Sequence, residues 1–101
     1  MTVVVHREAS EEALAAALWY DDRRPGLGSE FLTALSDAIQ SISKSPRALP
    51  IYGANERVRR LLLQRFPYAV VFAVRGKGVL VVAFAHARRR PGYWRRRLRR
   101  A

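Results

Sequence analysis

The chain has 101 residues, half of them apolar and ten of them aromatic, and its 19 Lys and Arg outnumber its 8 Asp and Glu to give a net charge of +11. This length is typical of one domain, and this much apolar sequence excludes a disordered chain. The lack of cysteine excludes a disulfide scaffold and a cysteine-ligated zinc site. No apolar run approaches the roughly 18 residues that span a bilayer, so we expect a soluble cytoplasmic domain with no membrane partner.

The charges are unevenly distributed along the chain. All eight acidic residues lie at or before Glu56, where five basic residues leave a balance of −3, whereas 14 basic residues and no acidic one follow from Arg57 onward. A half-chain at +14 attracts polyanions, either nucleic acid or an acidic protein, and charge alone does not distinguish the two. We expect residues 1–101 to form one domain, with residues from about 95 to 101 as a basic, disordered tail.

The first third of the chain predicts a strand and a helix. The β-branched run from Thr2 to His6 predicts a short edge strand. A helix is expected to begin at Ser10, whose hydroxyl can cap it and whose next two residues are acidic. Small residues and one tyrosine then recur at helical spacing, and residues 21–26 predict a turn because they end in Pro and Gly. The predicted helix face consists of Ala9, Ala13, Ala16, Ala17 and Tyr20.

A second helix follows and completes a helical hairpin. Apolar residues recur at helical spacing with polar residues elsewhere around the helix. Pro46 predicts the end of the helix at Ser45, because a residue before proline avoids helical angles. The apolar stripe consists of Phe31, Leu35, Ala38, Ile39 and Ile42.

Three strands are expected in the second half, spanning Arg57 to Arg65, Tyr68 to Arg75 and Val79 to His86. The fold class is therefore α+β in the order β-α-α-β-β-β, with an N-terminal helical hairpin packed on a small antiparallel sheet. The last two strands are apolar at nearly every position, which indicates that both sheet faces are covered. The helical hairpin covers one face. For the other we expect a partner or dimer contact, with the chain's own C-terminal segment as the alternative.

The sequence lacks the motifs of most catalytic sites. There is no Gly-rich phosphate loop after a strand, and two histidines cannot form a His-rich metal site, so we expect no cofactor and no metal. The segment after the last strand is the exception, because His86 and Arg88 share a strand face and Tyr93 and Trp94 follow closely. Arg can bind phosphate while an aromatic ring stacks on a base. In the alternative structural interpretation, favoured by residue types alone, His86 caps the strand and the two aromatic residues cover the core.

Several motifs in order resemble the RelE/ParE toxin superfamily of bacterial type II toxin–antitoxin systems, from about Val3 to Arg97. The motifs are Trp19-Tyr20, Arg24-Pro25-Gly26-Leu27-Gly28, Phe31, Ser45-Pro46, Arg65-Phe66-Pro67-Tyr68 and His86-Ala87-Arg88-Arg89-Arg90-Pro91-Gly92-Tyr93-Trp94. The resemblance implies a small toxin that arrests growth, serves in plasmid stabilisation and forms a hetero-oligomer with a cognate antitoxin. The antitoxin would bind through an extended acidic and apolar segment, for which the candidate contacts are Leu61, Leu63, Val71 and Val81.

Two branches of this superfamily act differently. RelE-like members resemble ribosome-dependent messenger endonucleases, with basic residues before the Tyr hairpin, an Arg directly after that Tyr, a late Arg and a C-terminal Tyr. Here the residue after Tyr68 is Ala69, and Leu62 stands two positions beyond Arg60. This departure resembles the ParE-like branch, which poisons DNA gyrase without chemistry of its own. The expected function is therefore gyrase poisoning, with a RelE-like nuclease or a non-toxic nucleic-acid-binding module as alternatives.

The resemblance and the charge pattern together nominate the functional residues. If the chain were RelE-like, the catalytic residues would be Arg60, His86, Arg88 and Tyr93, acting on ribosome-bound messenger RNA. The candidate contacts with a target protein or nucleic acid are Arg57, Arg59, Arg60, Arg65, Arg88, Arg89, Arg90, Tyr93, Trp94 and Arg95.

Overall fold

The computed structural model describes residues 1–100, with two helices, four strands and two short 3-10 segments. The elements are β1 (Thr2–Val5), α1 (Arg7–Arg23), α2 (Leu27–Lys44), a 3-10 turn (Pro46–Ala48), β2 (Val58–Leu62), β3 (Tyr68–Arg75), β4 (Gly78–His86) and a C-terminal 3-10 helix (Arg95–Arg100). The predicted order β-α-α-β-β-β is confirmed. Within the described residues, neither α1 nor α2 combines the length and the apolar composition needed to cross a membrane.

Helix α1 begins earlier than the sequence predicts. His6, rather than Ser10, is its N-cap, and the His6 Nδ1 atom accepts a hydrogen bond from the Glu8 backbone amide at 3.1 Å. The His6 amide donates to the Val81 carbonyl, so the same residue ends the strand pairing and starts the helix. Ser10 donates its backbone amide to the His6 carbonyl inside the first turn. The early start places Ala9, which is fully buried, on the core face.

The two helices meet in a turn that is shorter than predicted. Helix α1 continues to Arg23, and Arg24, which precedes a proline, adopts extended angles. The Asp21 side chain then accepts a hydrogen bond from the Gly28 backbone amide at 2.7 Å, satisfying a free donor in the first turn of α2. The apolar stripe of α2 is confirmed, with four of its five residues buried and Ile39 packed against them.

The four strands form one sheet in the order β1-β4-β3-β2. Strand β1 lies at the edge, as predicted, but it runs parallel to β4 while the other neighbours are antiparallel, which makes the sheet mixed. Strand β3 has its predicted bounds and β4 gains Gly78, whereas β2 is four residues shorter than predicted. The chain leaves β2 after Leu62 because it turns back through Phe66 and Pro67 to start β3.

Both sheet faces are buried, and the chain covers both of them itself. Helices α1 and α2 pack on one face around Phe31, Phe72 and Val81. On the other face, Trp94 packs with Val71, Val82 and their neighbours, and Tyr93 and Leu98 border this cluster. The alternative in which the C-terminal segment covers this face is therefore confirmed, and the partner or dimer contact proposed for it is not needed.

The C-terminal residues are ordered where a basic, disordered tail is expected. Residues 95–100 form a 3-10 helix, and Arg97 is 6% exposed. Its guanidinium is not solvated, because it donates a hydrogen bond to the Val82 carbonyl at 2.9 Å and lies 3.0 Å from the Glu12 carboxylate. A basic residue with these partners is part of the folded domain. Ala101 lies outside the described residues.

Candidate functional site

Two open grooves meet at the C-terminal end of β4. The helix groove, bounded by α1, has a volume of about 770 Å³ and is lined by Trp19, Tyr68, His86, Arg88, Arg89 and others. The strand groove, bounded by β2, has a volume of about 320 Å³ and is lined by Arg60, Tyr52, Arg90, Trp94 and others. His86, Arg89 and Tyr93 border both grooves.

His86 is fixed by two contacts at the last position of β4. It lies opposite Tyr68 in the β3–β4 pairing, and the two rings meet edge to face with centroids 5.0 Å apart. Its Nδ1 atom accepts a hydrogen bond from the Arg88 backbone amide at 3.0 Å. A proton on Nδ1 would break that bond, so only Nε2 remains for an external partner. The predicted capping role of His86 is confirmed.

Tyr93 is held by a carboxylate from α1. Its hydroxyl donates a hydrogen bond to Glu12 Oε2 at 2.7 Å. Burial, the hydrogen bond to Glu12 and the charge of Glu12 together raise the pKa of Tyr93 far above its usual range. The Arg89 guanidinium lies over the ring, 3.7 Å from its centroid. A phenol with a raised pKa is a poor proton donor, and its hydroxyl proton is already engaged by Glu12.

Glu12 collects donors from three elements. Besides Tyr93, its Oε2 atom accepts from Arg97 Nη2 at 3.0 Å, and its Oε1 atom accepts from the Phe84 backbone amide at 3.1 Å. Arg97 also reaches Glu8, with its Nε atom 3.7 Å from a Glu8 oxygen. This Glu12 cluster, defined as Glu12, Tyr93 and Arg97, joins α1, β4 and the C-terminal segment.

Neighbouring charges in the same region are also paired. Arg96 Nη2 lies 2.9 Å from Glu8 Oε1. Although partial burial opposes ionisation of Glu8, the charges of Arg96 and Arg97 outweigh it and lower the pKa of that carboxyl. Burial acts against the charge of Arg97, but the hydrogen bond to Glu12 and the charges of Glu12 and Glu8 raise its pKa. The C-terminal segment is therefore fastened by ion pairs as well as by Trp94.

The four residues predicted to be catalytic for a RelE-like enzyme are distributed over the two adjoining grooves. Arg60 lies on β2 with its guanidinium 4.0 Å from the Tyr52 ring centroid, in the strand groove. Arg88 lies in the helix groove instead. Of the four, His86 and Tyr93 border both grooves, and the Tyr93 hydroxyl faces Glu12. The Tyr93 hydroxyl is thus occupied by Glu12, while Arg60 and Arg88 lie on the walls of two neighbouring grooves.

The predicted target contacts fall into three groups. Arg88, Arg89, Arg90 and Arg95 are exposed and lie near the two grooves. Trp94 is 5% exposed and packs in the core, so its predicted contact with a target is wrong because the ring is covered by its own chain. Of the remaining residues, Arg60 and Tyr93 line the grooves, whereas Arg57, Arg59 and Arg65 line neither.

Three of these remaining arginines have partners or neighbours of their own. Arg65 is ion-paired with Glu30 at 2.7 Å. Arg57 and Arg59 line a different pocket near the β3–β4 turn. Neither groove includes any of the three.

Two of the four predicted antitoxin contacts are inaccessible. Val71 is 1% exposed beneath the C-terminal segment, and Val81 is fully buried beneath the helices, so neither can touch a partner while the fold is intact. Leu61 and Leu63 are partly exposed at β2, beside Leu62, which is 61% exposed.

Sequence reasoning missed Glu12, Arg97 and Trp19. Glu12 carried one signal, because it lies four residues before Ala16 and so borders the core face of α1. Arg97 gave no signal in the sequence, since nothing in its position distinguishes it from the neighbouring arginines. Trp19 lines the helix groove and is 52% exposed, although Arg23 stacks on its ring at 3.6 Å. Among residues 1–100, no three His, Cys, Asp or Glu side chains cluster as metal ligands would.

The fold is similar to that of a chain in the solved structure described as the chromosomal ParDE TA system from P. aeruginosa, where TA denotes toxin–antitoxin. The TM-score is 0.75, the match covers 85% of this chain and 95% of that chain, and 18% of the residues are identical. At this identity the match shows a shared fold. No protein-family model matches the chain, and no curated protein matches it significantly.

Proposed function

We propose that the chain is the toxin of a type II toxin–antitoxin system and that it arrests bacterial growth by poisoning DNA gyrase. The observation that carries this proposal is the fold shared with a ParDE chain over most of both molecules. The order of sequence motifs, from Trp19-Tyr20 to the segment ending at Trp94, supports the same family. Fold alone does not determine function, so the choice between the two branches is argued from the residues at the grooves.

The Glu12 cluster favours a binding inhibitor over a nuclease. Cleavage of RNA would need a base for the 2′-hydroxyl and an acid for the leaving oxygen. The Tyr93 hydroxyl donates to Glu12, and its raised pKa disfavours transfer of its proton. Arg60 and Arg88 line different grooves, and Ala69 stands where a RelE-like enzyme would have an arginine. The Glu12 cluster is therefore better suited to holding the C-terminal segment in place than to transferring protons.

The target-binding surface that we propose is the helix groove and its arginine rim. Arg88, Arg89 and Arg90 are consecutive and exposed, and Arg88 and Arg89 line the helix groove together with Trp19 of α1. Arginine and tryptophan are the side chains that most often dominate binding interfaces. The rim would steer the toxin towards acidic surfaces of gyrase or its bound DNA.

The antitoxin partner would bind through acidic and apolar side chains. The chain offers a net charge of +11 and an apolar strand edge at Leu61, Leu62 and Leu63. An acidic segment would neutralise the charge, while apolar side chains would cover these leucines.

Expression from a tightly regulated promoter in bacteria tests the proposal. We expect growth arrest with induction of the DNA damage response and intact messengers, and we expect purified protein to trap gyrase on cleaved DNA. Cleavage of translated messengers without a damage response would instead support the RelE-like nuclease. Normal growth at high expression would contradict both and favour a nucleic-acid-binding module.

Substitutions at the grooves separate binding from catalysis in the same assay. Tyr93→Phe removes the hydroxyl and keeps the ring, so a gyrase poison should stay toxic and a tyrosine-dependent nuclease should not. Arg88→Gln with Arg89→Gln should weaken toxicity at least tenfold in the dose needed for arrest, as expected for about 1.4 kcal/mol of lost contact. Arg24→Gln with Lys44→Gln makes the same change in charge away from the grooves and should leave toxicity unchanged.

A further inference from the structure

A second basic surface lies at the opposite end of the sheet from the grooves. A pocket of about 580 Å³ there, the arginine pocket, is lined by four arginines and one carboxylate. Its charged residues are Arg47, Arg57, Arg59, Arg75 and Glu56. The arginines come from the loop after α2, from β2 and its approach, and from the end of β3, so the fold gathers them from three parts of the chain.

The arginine pocket and the helix groove lie at opposite ends of β3. Strand β3 begins at Tyr68, which lines both grooves, and ends at Arg75, which lines the pocket. At about 3.3 Å per residue, these two positions lie roughly 23 Å apart. The sequence places all these arginines in one basic half, but the structure divides them between two separate surfaces.

Two arginines of this pocket, Arg47 and Arg59, are positioned by backbone carbonyls. Arg47 donates to the Gly76 carbonyl at 3.4 Å, and Arg59 donates to the Leu49 carbonyl. The Arg59 Nε atom is buried without a hydrogen-bond partner. Carbonyls fix the direction of a guanidinium without cancelling its charge. By contrast, Arg24, Arg65 and Arg96 are each within 3.3 Å of a glutamate.

The lining of the pocket selects among anionic ligands. Apart from the charged residues, only Val74 and Gly76 line it, so an acidic peptide would find almost no apolar surface to bury there. Interfaces with nucleic acids are more polar and far more positively charged. Planar guanidinium groups match the oxygens of a phosphate through paired hydrogen bonds.

We propose that the arginine pocket is a phosphate site that binds the phosphodiester backbone of a nucleic acid, independently of the grooves. Arg57, which is exposed at the mouth of the pocket, makes the direct contact, while Arg47 and Arg59 supply fixed charge behind it. Glu56 opposes binding through repulsion. The proposal does not depend on gyrase poisoning, because it concerns binding of nucleic acid by the isolated protein.

Fluorescence anisotropy with a short labelled DNA duplex and the purified full chain tests the site. Affinity is measured between about 50 and 200 mM salt, where each phosphate contact contributes close to one unit to the slope of log K against log salt. We expect Arg57→Gln to weaken binding several-fold and to reduce the slope by about 1. The matched control Arg24→Gln removes the same charge far from the pocket and should keep the slope.

A substitution of the opposite sign excludes a general loss of fold as the explanation. Glu56→Gln should tighten binding, whereas Glu11→Gln, an exposed carboxylate on α1, should change it far less. Equal effects of Arg57→Gln and Arg24→Gln, or no gain from Glu56→Gln, would overturn the proposal and leave only a diffuse attraction by net charge.

Two further probes identify the ligand. A labelled duplex RNA is compared with the DNA duplex. Loss of affinity for either duplex in Arg57→Gln supports the site, and the duplex with the larger loss identifies the preferred backbone. A labelled glutamate-rich peptide tests the acidic partner. Arg57-dependent binding of that peptide, with DNA binding unaffected by Arg57→Gln, would overturn the phosphate assignment.

Discussion

Glu12 ties together segments that are more than 70 residues apart in sequence. One oxygen accepts the Phe84 amide, and the other accepts both the Tyr93 hydroxyl and the Arg97 guanidinium. Hydrogen bonds to a carboxylate are roughly twice as strong as those between neutral groups, and the buried Arg97 has no solvent to replace Glu12. The C-terminal segment is therefore held by Glu12, and by Glu8 one turn earlier on α1, as well as along the sheet.

The Tyr93 hydroxyl makes the stability of the fold sensitive to alkaline pH. Its pKa is raised above the ordinary value of 10.0, first by burial and then by Glu12. Between these two pKa values the unfolded chain releases the proton while the folded protein keeps it, so stability falls as the pH rises. Tyr93→Phe should cost about 1 kcal/mol near neutral pH and should flatten the decline above pH 10.

Urea denaturation at neutral and alkaline pH measures this effect. Tyr52→Phe is the control, because it removes a phenol hydroxyl from a tyrosine outside the Glu12 cluster. An unchanged alkaline decline in Tyr93→Phe would exclude Tyr93 as its source, leaving Tyr20 and Tyr68, whose pKa values burial also raises.

At the scale of elements, the C-terminal segment acts as a layer of the core. Trp94 is 5% exposed and packs against the sheet with Tyr52 beside it, the ring centroids 6.1 Å apart. The adjoining 3-10 helix then places Arg97 against β4. A segment of this kind stabilises the sheet as a third layer opposite the helices.

The chain's two tryptophans offer a matched pair for testing this layer. Trp94→Ala should lower the free energy of unfolding by about 4 kcal/mol, because it removes a large buried ring and leaves a cavity. Trp19→Ala, at a half-exposed position on α1, should cost about 0.5 kcal/mol. Equilibrium denaturation followed by circular dichroism compares the two, and equal losses would contradict the assignment of Trp94 to the core.

The hairpin of α1 and α2 depends on one close approach. A Cβ atom at Gly28 would lie 2.4 Å from the Ala17 carbonyl oxygen and 2.8 Å from the Asp21 carboxylate. Gly28→Ala should therefore destabilise the protein by about 2 kcal/mol, despite the better helix propensity of alanine. Ser29→Ala, at the next and exposed position, is the control for thermal unfolding. A rise in Tm for Gly28→Ala would show that the helices separate at low cost.

The helices and strands could be predicted because their apolar periodicity reflects burial directly. The stripe from Phe31 to Ile42 predicted α2, and the apolar runs of β3 and β4 predicted a sheet covered on both faces. The start of α1 could not be predicted, because the cap at His6 depends on the strand that precedes it. The role of Arg97 was also invisible, since its partner Glu12 lies 85 residues away and pairs across the fold.

The arrangement of the candidate site also depends on contacts that the sequence does not reveal. Proximity in sequence placed His86, Arg88, Tyr93 and Trp94 in one cluster, but the turn after β4 sends their side chains to different surroundings. Trp94 enters the core, Tyr93 faces Glu12 and Arg88 faces the helix groove. Side-chain direction after a strand end depends on backbone turns that residue type does not encode.

At the scale of the whole molecule, uncompensated positive charge opposes compaction. The acidic first half offsets little of it, because the residues from Arg57 onward carry 14 positive charges and no negative one. Salt screens such repulsion within about 10 Å at 0.1 M. We therefore expect the Tm to rise as ionic strength increases from low to physiological values.

Calorimetry in sodium chloride and sodium sulfate measures this dependence. Sodium chloride tests screening, while a larger rise in sulfate at equal ionic strength would indicate anion binding to the arginines. A Tm that falls with added sodium chloride would mean that the glutamate ion pairs outweigh the net repulsion.

The pairing of β1 with β4 sets the order in which the fold can be completed. The ribosome makes β1 first, yet its partner in the sheet begins at Gly78, and the groups that Glu12 binds extend to Arg97. Contacts between such distant residues form slowly and only after the intervening chain is available. Neither the complete four-stranded sheet nor the groove walls can therefore form early in translation. The protein acquires its binding surfaces only as synthesis of the domain ends.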